Sequence, residues 1–451
     1  MAMDINRRDV LRMGSALGAG LAFNCLPARK SYAGLFTQRK NAMLFRSEPM
    51  DKVRIGFVGV GGRGSGLVKI LLDIEGVELR AICDLEKDRV EIAQRWVEEK
   101  GQKTPKGYYK GPEDYKNLCQ QDDLDLIITA TPWELHAPVS VAAMKAGKHA
   151  ATEVPAAVTV EECWQLVETS EKTGKHCMML ENVCYMEPEL MVLNMVRQGV
   201  FGEVIHCQAG YLHDLRALKL SSGELPWRAK HSVKRDGNVY PTHGLGPVAQ
   251  YMNIDRGDRF DYVVSMSNNS RGLNRYAEEH LGKDHPLTKQ KYKMGDVNVS
   301  LIKTVKGHSI TLYHDCDTPR PYNRINWVQG DKGIVKTFDD KIYIEGVSPE
   351  HTWEPISKYT EKYMHPLWKS MQDTAKNYSH GGGDFLEFYR LIQCLRKGEP
   401  LDQNVYDAAS WSVVGPLSEK SVANKSRPVD FPDFTRGNWK TNKPLGIVTG
   451  I

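Results

Sequence analysis

Val53-Arg54-Ile55-Gly56-Phe57-Val58 runs directly into Gly59-Val60-Gly61-Gly62-Arg63-Gly64, and the reading of these residues decides the fold. The first six form a short apolar run with β-branched content, the pattern of a strand buried in a parallel sheet. Gly59, Gly61 and Gly64 match G-x-G-x-x-G. The first glycine permits a tight turn, the second lets backbone approach a pyrophosphate, and the third lets helix pack on strand. From Ser65 to Ile74 the apolar residues Leu67, Ile70, Leu71 and Ile74 fall at helical spacing. The N-terminus of that helix would offer free N–H groups to phosphate. Val77 to Cys83 reads as a second strand and ends in Asp84, 20 residues after Gly64. An acid at that distance accepts hydrogen bonds from the adenosine ribose and repels a 2′-phosphate, so the pattern favours NAD over NADP. A glycine motif alone is weak evidence. Here a strand precedes it, a helix follows it, and the acid is in place.

The alternation continues. Asp125–Thr131 reads as strand, Ala137–Ala146 as helix, His149–Thr152 as strand, 159–173 as helix and Met178–Leu180 as strand. Strands alternating with helices predict a Rossmann-type, doubly wound parallel sheet over residues 50–183. From about residue 203 strand-like runs dominate: Val204–Tyr211, Asp261–Ser267, Val297–Val305, His308–Tyr313, Arg324–Val328 and Lys341–Glu345. Helices return near 365–378, 383–396 and 404–420, and the tail after Ser426 reads as loop. The expected class is thus α/β, followed over 184–435 by an α+β domain with an open, mostly antiparallel sheet.

The chain has 451 residues, 41% hydrophobic and 26% charged, which suits two or three globular domains and excludes wholesale disorder. No membrane-length apolar run follows the N-terminus. Residues 1–33 carry five basic and two acidic side chains, a net +3, which leaves +1 of the total +4 for the rest. A nearly neutral body gives no footprint for nucleic acid. Asn6-Arg7-Arg8-Asp9-Val10-Leu11-Arg12, a mild apolar stretch from Met13 to Pro27 and Ser31-Tyr32-Ala33 have the three parts of an export signal, and the paired arginines resemble a twin-arginine signal. That predicts a periplasmic or secreted protein with no stable membrane anchor. An ordinary amphipathic helix, or a lipid anchor at Cys25, would be the alternatives. Export by that route carries folded proteins, so a cofactor could be loaded before export. Of nine cysteines one lies in the signal, and the rest show no CxxC pair or metal-ligand spacing. Free thiols are expected, with Cys83 and Cys207 in the core.

Three further stretches carry a resemblance: Ala151-Thr152-Glu153-Val154-Pro155-Ala156-Ala157, Met179-Leu180-Glu181-Asn182-Val183-Cys184-Tyr185, and Tyr240-Pro241-Thr242-His243-Gly244-Leu245-Gly246-Pro247. Over most of residues 50–435 the chain resembles glycoside hydrolase family 109, NAD-dependent α-N-acetylgalactosaminidases within the glucose–fructose oxidoreductase / inositol dehydrogenase superfamily. Dehydrogenases of that superfamily carry Glu-Lys-Pro where this chain has Glu153-Val154-Pro155. Valine cannot carry a proton. The resemblance implies a cycle in which the sugar is oxidised at C3, loses its C2 proton, eliminates the C1 substituent, adds water and is reduced again. That differs from the two-carboxylate glycosidases, and a self-recycling cofactor suits an exported protein.

By the same resemblance Gly59, Gly61, Gly62, Arg63, Gly64 and Asp84 would hold NAD, together with Trp133, Glu134, Leu135, His136, Glu153, Val154 and Asn182. Tyr211, Arg228, Tyr240, Pro241, Thr242, His243 and Tyr322 would meet a carbohydrate, since polar aromatics offer a face to the ring and a hydroxyl to its oxygens. His243 is the first choice for acid/base work, with Tyr240 assisting and His380, before Gly381-Gly382-Gly383-Asp384, as a second candidate. No metal is expected. Each histidine could instead be structural, and Trp133 and Trp227 plain packing residues. Two other functions stay open: a periplasmic sugar oxidoreductase with tightly bound NAD(P), and a non-catalytic binding module. The open sheet is a candidate surface for homo-oligomer formation. Arg256-Gly257-Asp258 reads as a turn rather than an adhesion signal.

Overall fold

A computed structural model describes residues 40–220, 225–444 and 447, so the export signal expected over 1–33 lies outside the described residues. The nucleotide half is one parallel sheet of β1 (Val53–Val58), β2 (Val77–Cys83), β3 (Lys106–Tyr108), β4 (Leu126–Thr129), β5 (His149–Thr152) and β6 (Cys177–Met179), in the order β3-β2-β1-β4-β5-β6. The order reverses between β1 and β4, which opens a crevice at their carboxyl ends. Val53, Ile55 and Phe57 are fully buried, as a strand covered on both faces requires. At Gly64, the third glycine, an added Cβ would sit 1.8 Å from the Gly59 carbonyl oxygen, so only hydrogen fits where helix Gly62–Leu72 meets the turn. Gly59 itself has φ +91°, a left-handed conformation.

The second sheet has eight strands: β7 (Val204–Leu212), β8 (Phe260–Ser267), β9 (Val297–Thr304), β10 (Ser309–Asp315), β11 (Trp327–Gly330), β12 (Gly333–Lys336), β13 (Lys341–Ile344) and β14 (Val429–Asp430). Their order is β13-β12-β11-β7-β10-β9-β8-β14, and β7 with β10 is the parallel pair among otherwise antiparallel neighbours. Helices Thr242–Tyr251 and Val414–Ala423 pack against β7 and β8. The opposite face leaves Ile205, Met266 and Leu301 exposed.

Some elements differ from the sequence expectation. The run from Arg324 becomes strand only at Trp327, because Ile325 and Asn326 have positive φ and Arg324 turns inward to the buried Glu189, 2.8 Å away. The helix expected over 404–420 is two helices, Val405–Ser412 and Val414–Ala423. The tail is not all loop, since Val429 pairs with Val263. Arg256 is buried and bonds both oxygens of the buried Asp407 at 2.6 Å, so its turn is internal. The eight cysteines among the described residues are free and buried. Among the described residues no helix is long and apolar enough to cross a membrane.

Four histidines are built into the core as neutral rings. His149 Nδ1 accepts the His176 N–H at 3.1 Å, and His365 Nδ1 accepts the Leu367 N–H at 3.1 Å. Burial pushes His149 and His314 down to about 3, and His176 and His365 down to about 4. In the unfolded chain each ring takes a proton near its ordinary pKa of about 6.5. Their contribution to stability is therefore complete above that pH and is lost as pH falls toward the folded values. The loss is about 2 kcal/mol per histidine at pH 5. Asp255, pushed up to about 7 by burial, acts oppositely and offsets about one of them. Denaturant midpoints measured at pH 7 and pH 5 should fall steeply; equal midpoints would contradict neutral burial of these rings.

Candidate active site

The carboxyl ends of the parallel strands open into a cleft of about 600 Å³ whose far wall comes from β7 and the segment around residues 227–243. At one end Asp84 braces the glycine turn. Its carboxylate accepts the Val60 N–H at 2.8 Å and the Glu86 N–H at 3.0 Å. In front of the helix N-terminus the space is open: a Cβ on Gly62 would meet nothing within 4 Å, and one on Gly61 only Arg89 at 3.7 Å. An acid at the end of β2, an open glycine turn and a helix N-terminus together fit a dinucleotide, with its pyrophosphate on the turn.

At the other end, Arg63 ties the two halves of the chain together. Its Nε bonds Glu153 at 2.6 Å, and its two terminal nitrogens bond Asp384 at 2.7 and 2.8 Å. Asp384 also accepts from Asn182 Nδ2 at 2.6 Å and lies 2.8 Å from His380 Nδ1. Burial alone would raise the Asp384 pKa, but the Arg63 and His380 contacts outweigh it and hold the carboxyl well below the usual range. Burial, then the charges of Asp384, Glu153 and Glu181, push the neighbouring Glu387 far upward, so it carries a proton.

His243 stands on the first turn of helix Thr242–Tyr251. Gly244 brings that turn against β7: an added Cβ would meet the Gly210 nitrogen at 2.5 Å. His243 Nδ1 donates to the fully buried Glu181 at 2.6 Å, and the Tyr240 hydroxyl lies 3.4 Å from Nε2. With Nδ1 committed, Nε2 is the nitrogen left for chemistry. Tyr211 packs 4.6 Å from Tyr240 and 5.3 Å from His243, ring to ring, and its hydroxyl lies 2.9 Å from His213 Nδ1. Burial raises the pKa of both tyrosines, so both phenols keep their protons. Arg228 sits between Trp133 and Trp227, 5.0 and 4.9 Å from their rings. Tyr240 stacks on Trp133 at 5.4 Å, so both tryptophans pack as well as line the cleft.

Of the residues expected from sequence, Gly59, Gly61, Gly62, Arg63, Asp84, Trp133, Leu135, His136, Glu153, Val154, Asn182, Tyr211, Arg228, Tyr240, His243 and His380 line this one cleft. Five do not. Gly64 serves packing beneath the turn. Glu134 points away, its side chain 58% exposed and 3.3 Å from His231 Nε2. Pro241 and Thr242 are buried where they start the helix that carries His243. Tyr322 sits beside the cleft, half-exposed, its ring 6.0 Å from Tyr211 and its hydroxyl accepting from Arg324. His136 lies 2.7 Å from the Pro155 carbonyl and 2.8 Å from that of Thr131, so it pins the loops after β4 and β5. Three residues escaped the sequence reading: Glu181 behind His243, Asp384 behind His380, and His213 beside Tyr211. Glu181 and Asp384 lie within the motif stretches, but their partners His243 and Arg63 are 62 and 321 positions away; His213 stands two residues after Tyr211, outside any motif.

Residues 53–181 match the family model of oxidoreductases with an NAD-binding Rossmann fold, and residues 185–441 match that of the glycosyl hydrolase 109 C-terminal domain. A glycosyl hydrolase family 109 protein of Shewanella pealeana is 49% identical, over 99% of this chain and 100% of its own. One from Solibacter usitatus is also 49% identical, over 98% and 99%. Among solved structures, an NAD-binding oxidoreductase from Klebsiella pneumoniae superposes with TM-score 0.67 at 16% identity, over 85% of this chain and 100% of its own. Levoglucosan dehydrogenase in complex with NADH and levoglucosan gives TM-score 0.63 at 17% identity, again over 85% and 100%. At that identity the solved structures speak for the fold.

Proposed function

The chain belongs to glycosyl hydrolase family 109, and from that premise we propose that it hydrolyses terminal α-N-acetylgalactosaminides by an oxidation, elimination, hydration and reduction cycle. The enzyme is an NAD-dependent glycoside hydrolase. Bound NAD supplies reversible removal of hydride from the sugar ring. The remaining work falls to side chains. The observation that carries the reading is the Glu181–His243–Tyr240 line. A buried carboxylate holds Nδ1 at 2.6 Å, which leaves Nε2, beside the Tyr240 hydroxyl, to take the C2 proton. Tyr240 and Tyr211 keep their protons through burial and so donate hydrogen bonds to sugar oxygens. Arg228 forms no hydrogen bond or ion pair with a described residue, and its N–H groups suit an acetamido or ring oxygen. His380 lines the cleft with its Nδ1 held by Asp384, and is the candidate to protonate the leaving group. Val154 cannot relay a proton, which weighs against a simple alcohol dehydrogenase.

An aryl α-N-acetylgalactosaminide incubated in D₂O without added cofactor should release its aglycone and carry deuterium at C2 of the product. Release without C2 exchange would sink the elimination step. No release, with bound cofactor reduced by free sugars, would favour a sugar oxidoreductase. The paired arginines of residues 6–12 support export by the twin-arginine route to the periplasm or beyond. Replacing Arg7 and Arg8 with Lys should then hold the protein in the cytoplasm. The exposed apolar side chains of the open sheet support pairing with a second copy, which sedimentation would detect.

A further inference from the structure

A cluster of carboxyl groups backs the inner end of the cleft, where Glu153 lines it. Four carboxyl groups converge there: Glu181, Asp384 and Glu387 are fully buried, and Glu153 is 8% exposed. Among the described residues Arg63 is the guanidinium that bonds them, and it is shared by Glu153 and Asp384. Among the described residues Glu181 has the Val183 N–H and the His243 ring as its donors. Its Oε2 has no donor among the described residues, and neither has Oδ1 of the buried Asn182. Glu387 has no partner among the described residues on either oxygen, and burial beside the other carboxyls keeps it protonated. Other titratable groups facing these carboxyls are His243, His380, His136 and the neutral Tyr240, Tyr322, Tyr185 and Cys184, with Arg228 and His213 on the opposite wall. Three carboxylates therefore have one bonded guanidinium among them, Arg63, with Arg228 as the cation across the cleft.

We propose that this acid-rich floor holds the bound dinucleotide in its oxidised state, with Glu153 and Glu181 acting as fixed counter-charges to the nicotinamide ring. A dinucleotide in a doubly wound domain lies across the strand ends, with its adenosine at the acid that ends β2. With Asp84 in that position, a bound dinucleotide would place its nicotinamide toward the ends of β5 and β6, where Glu153 and Asn182 line the cleft. The ring is a cation only when oxidised, and the rest of the molecule has the same charge in both forms. One fixed charge several ångströms away in a partly dry site changes the balance about tenfold or more. By linkage, the ratio of the two affinities equals the displacement of the redox equilibrium on the protein. The consequence suits a cycle that begins by taking hydride and has no external oxidant to reset it. The inference rests on NAD binding, and it holds whichever glycoside is cleaved.

The test equilibrates purified holoprotein with equimolar NAD⁺ and NADH to constant composition, removes free dinucleotide by gel filtration, and measures bound NADH by absorbance against total dinucleotide. The wild type should retain the oxidised form in about tenfold excess or more. Glu153→Gln and Glu181→Gln should each reduce that excess about tenfold. Glu387→Gln exchanges one neutral group for another and should leave it unchanged. Equal retention of both forms by the wild type, or preference for NADH, overturns the proposal. So does a wild-type excess that persists in Glu153→Gln and Glu181→Gln proteins that still bind dinucleotide. The wild-type ratio decides on its own if a variant does not fold. No glycoside is present, so this result is independent of the deuterium experiment.

Discussion

His243→Ala should lower kcat by about 10³-fold, the usual worth of a positioned acid/base group, while leaving bound dinucleotide and melting temperature near wild type. The ring is 14% exposed and packs at the cleft wall, so its loss opens space toward the cleft and not in the core. Glu181→Gln tests the positioning role separately. It keeps the shape but removes the charge that orients Nδ1–H, and should cost about 10²-fold in kcat with little change in KM. A purely structural Glu181 would move melting temperature and not that split. Deuterium incorporation at C2 supplies the decisive readout: exchange that persists at the wild-type rate in His243→Ala removes His243 as the base.

Gly64→Ala should yield protein that purifies without dinucleotide and melts several degrees lower. The new Cβ would lie 1.8 Å from the Gly59 carbonyl oxygen and 2.9 Å from its carbon, so backbone has to move. Overpacking of this kind costs about 1–3 kcal/mol, and more where no side chain can yield. The shift also disturbs the Val60 N–H that Asp84 accepts. Gly62→Ala makes the contrast. Its Cβ meets no protein atom within 4 Å, so folding should be untouched. The methyl instead projects where the pyrophosphate belongs, and dinucleotide affinity alone should fall. If both variants melt like wild type and both retain dinucleotide, the assignment of this turn is wrong.

The fold was legible where chemistry is local. The glycine spacing, the apolar strand before it and Asp84 after it specify a turn that closes within 32 residues, from Val53 to Asp84. The alternation that follows repeats the same short-range pattern, so the parallel sheet follows from it. The second half was legible as strands but not as an ordered sheet. Its β12 and β14 are four and two residues long, and β14 pairs with β8 from more than 160 positions away. Arg324 looked like the start of a strand because nothing in its neighbourhood announces Glu189 as its partner. Glu134, Pro241 and Thr242 belong to the motifs but do not line the cleft. They are neighbours in sequence of cleft residues, but backbone direction turns one to solvent and buries the others under a helix.

By itself the sequence determined an NAD-binding doubly wound domain and a sheet-rich second half, and its motifs marked His243, Tyr240 and His380 as candidates for moving protons. Tertiary structure alone decided how those groups are poised. Glu181 reaches His243 across 62 positions, and Arg63 reaches Asp384 across 321. A carboxylate's effect depends on distance, burial and the number of cations within reach, and spacing along a chain encodes none of these. Only after folding do Glu153 and Asp384 share Arg63, and only then do Glu181 and Glu387 come within electrostatic reach of them.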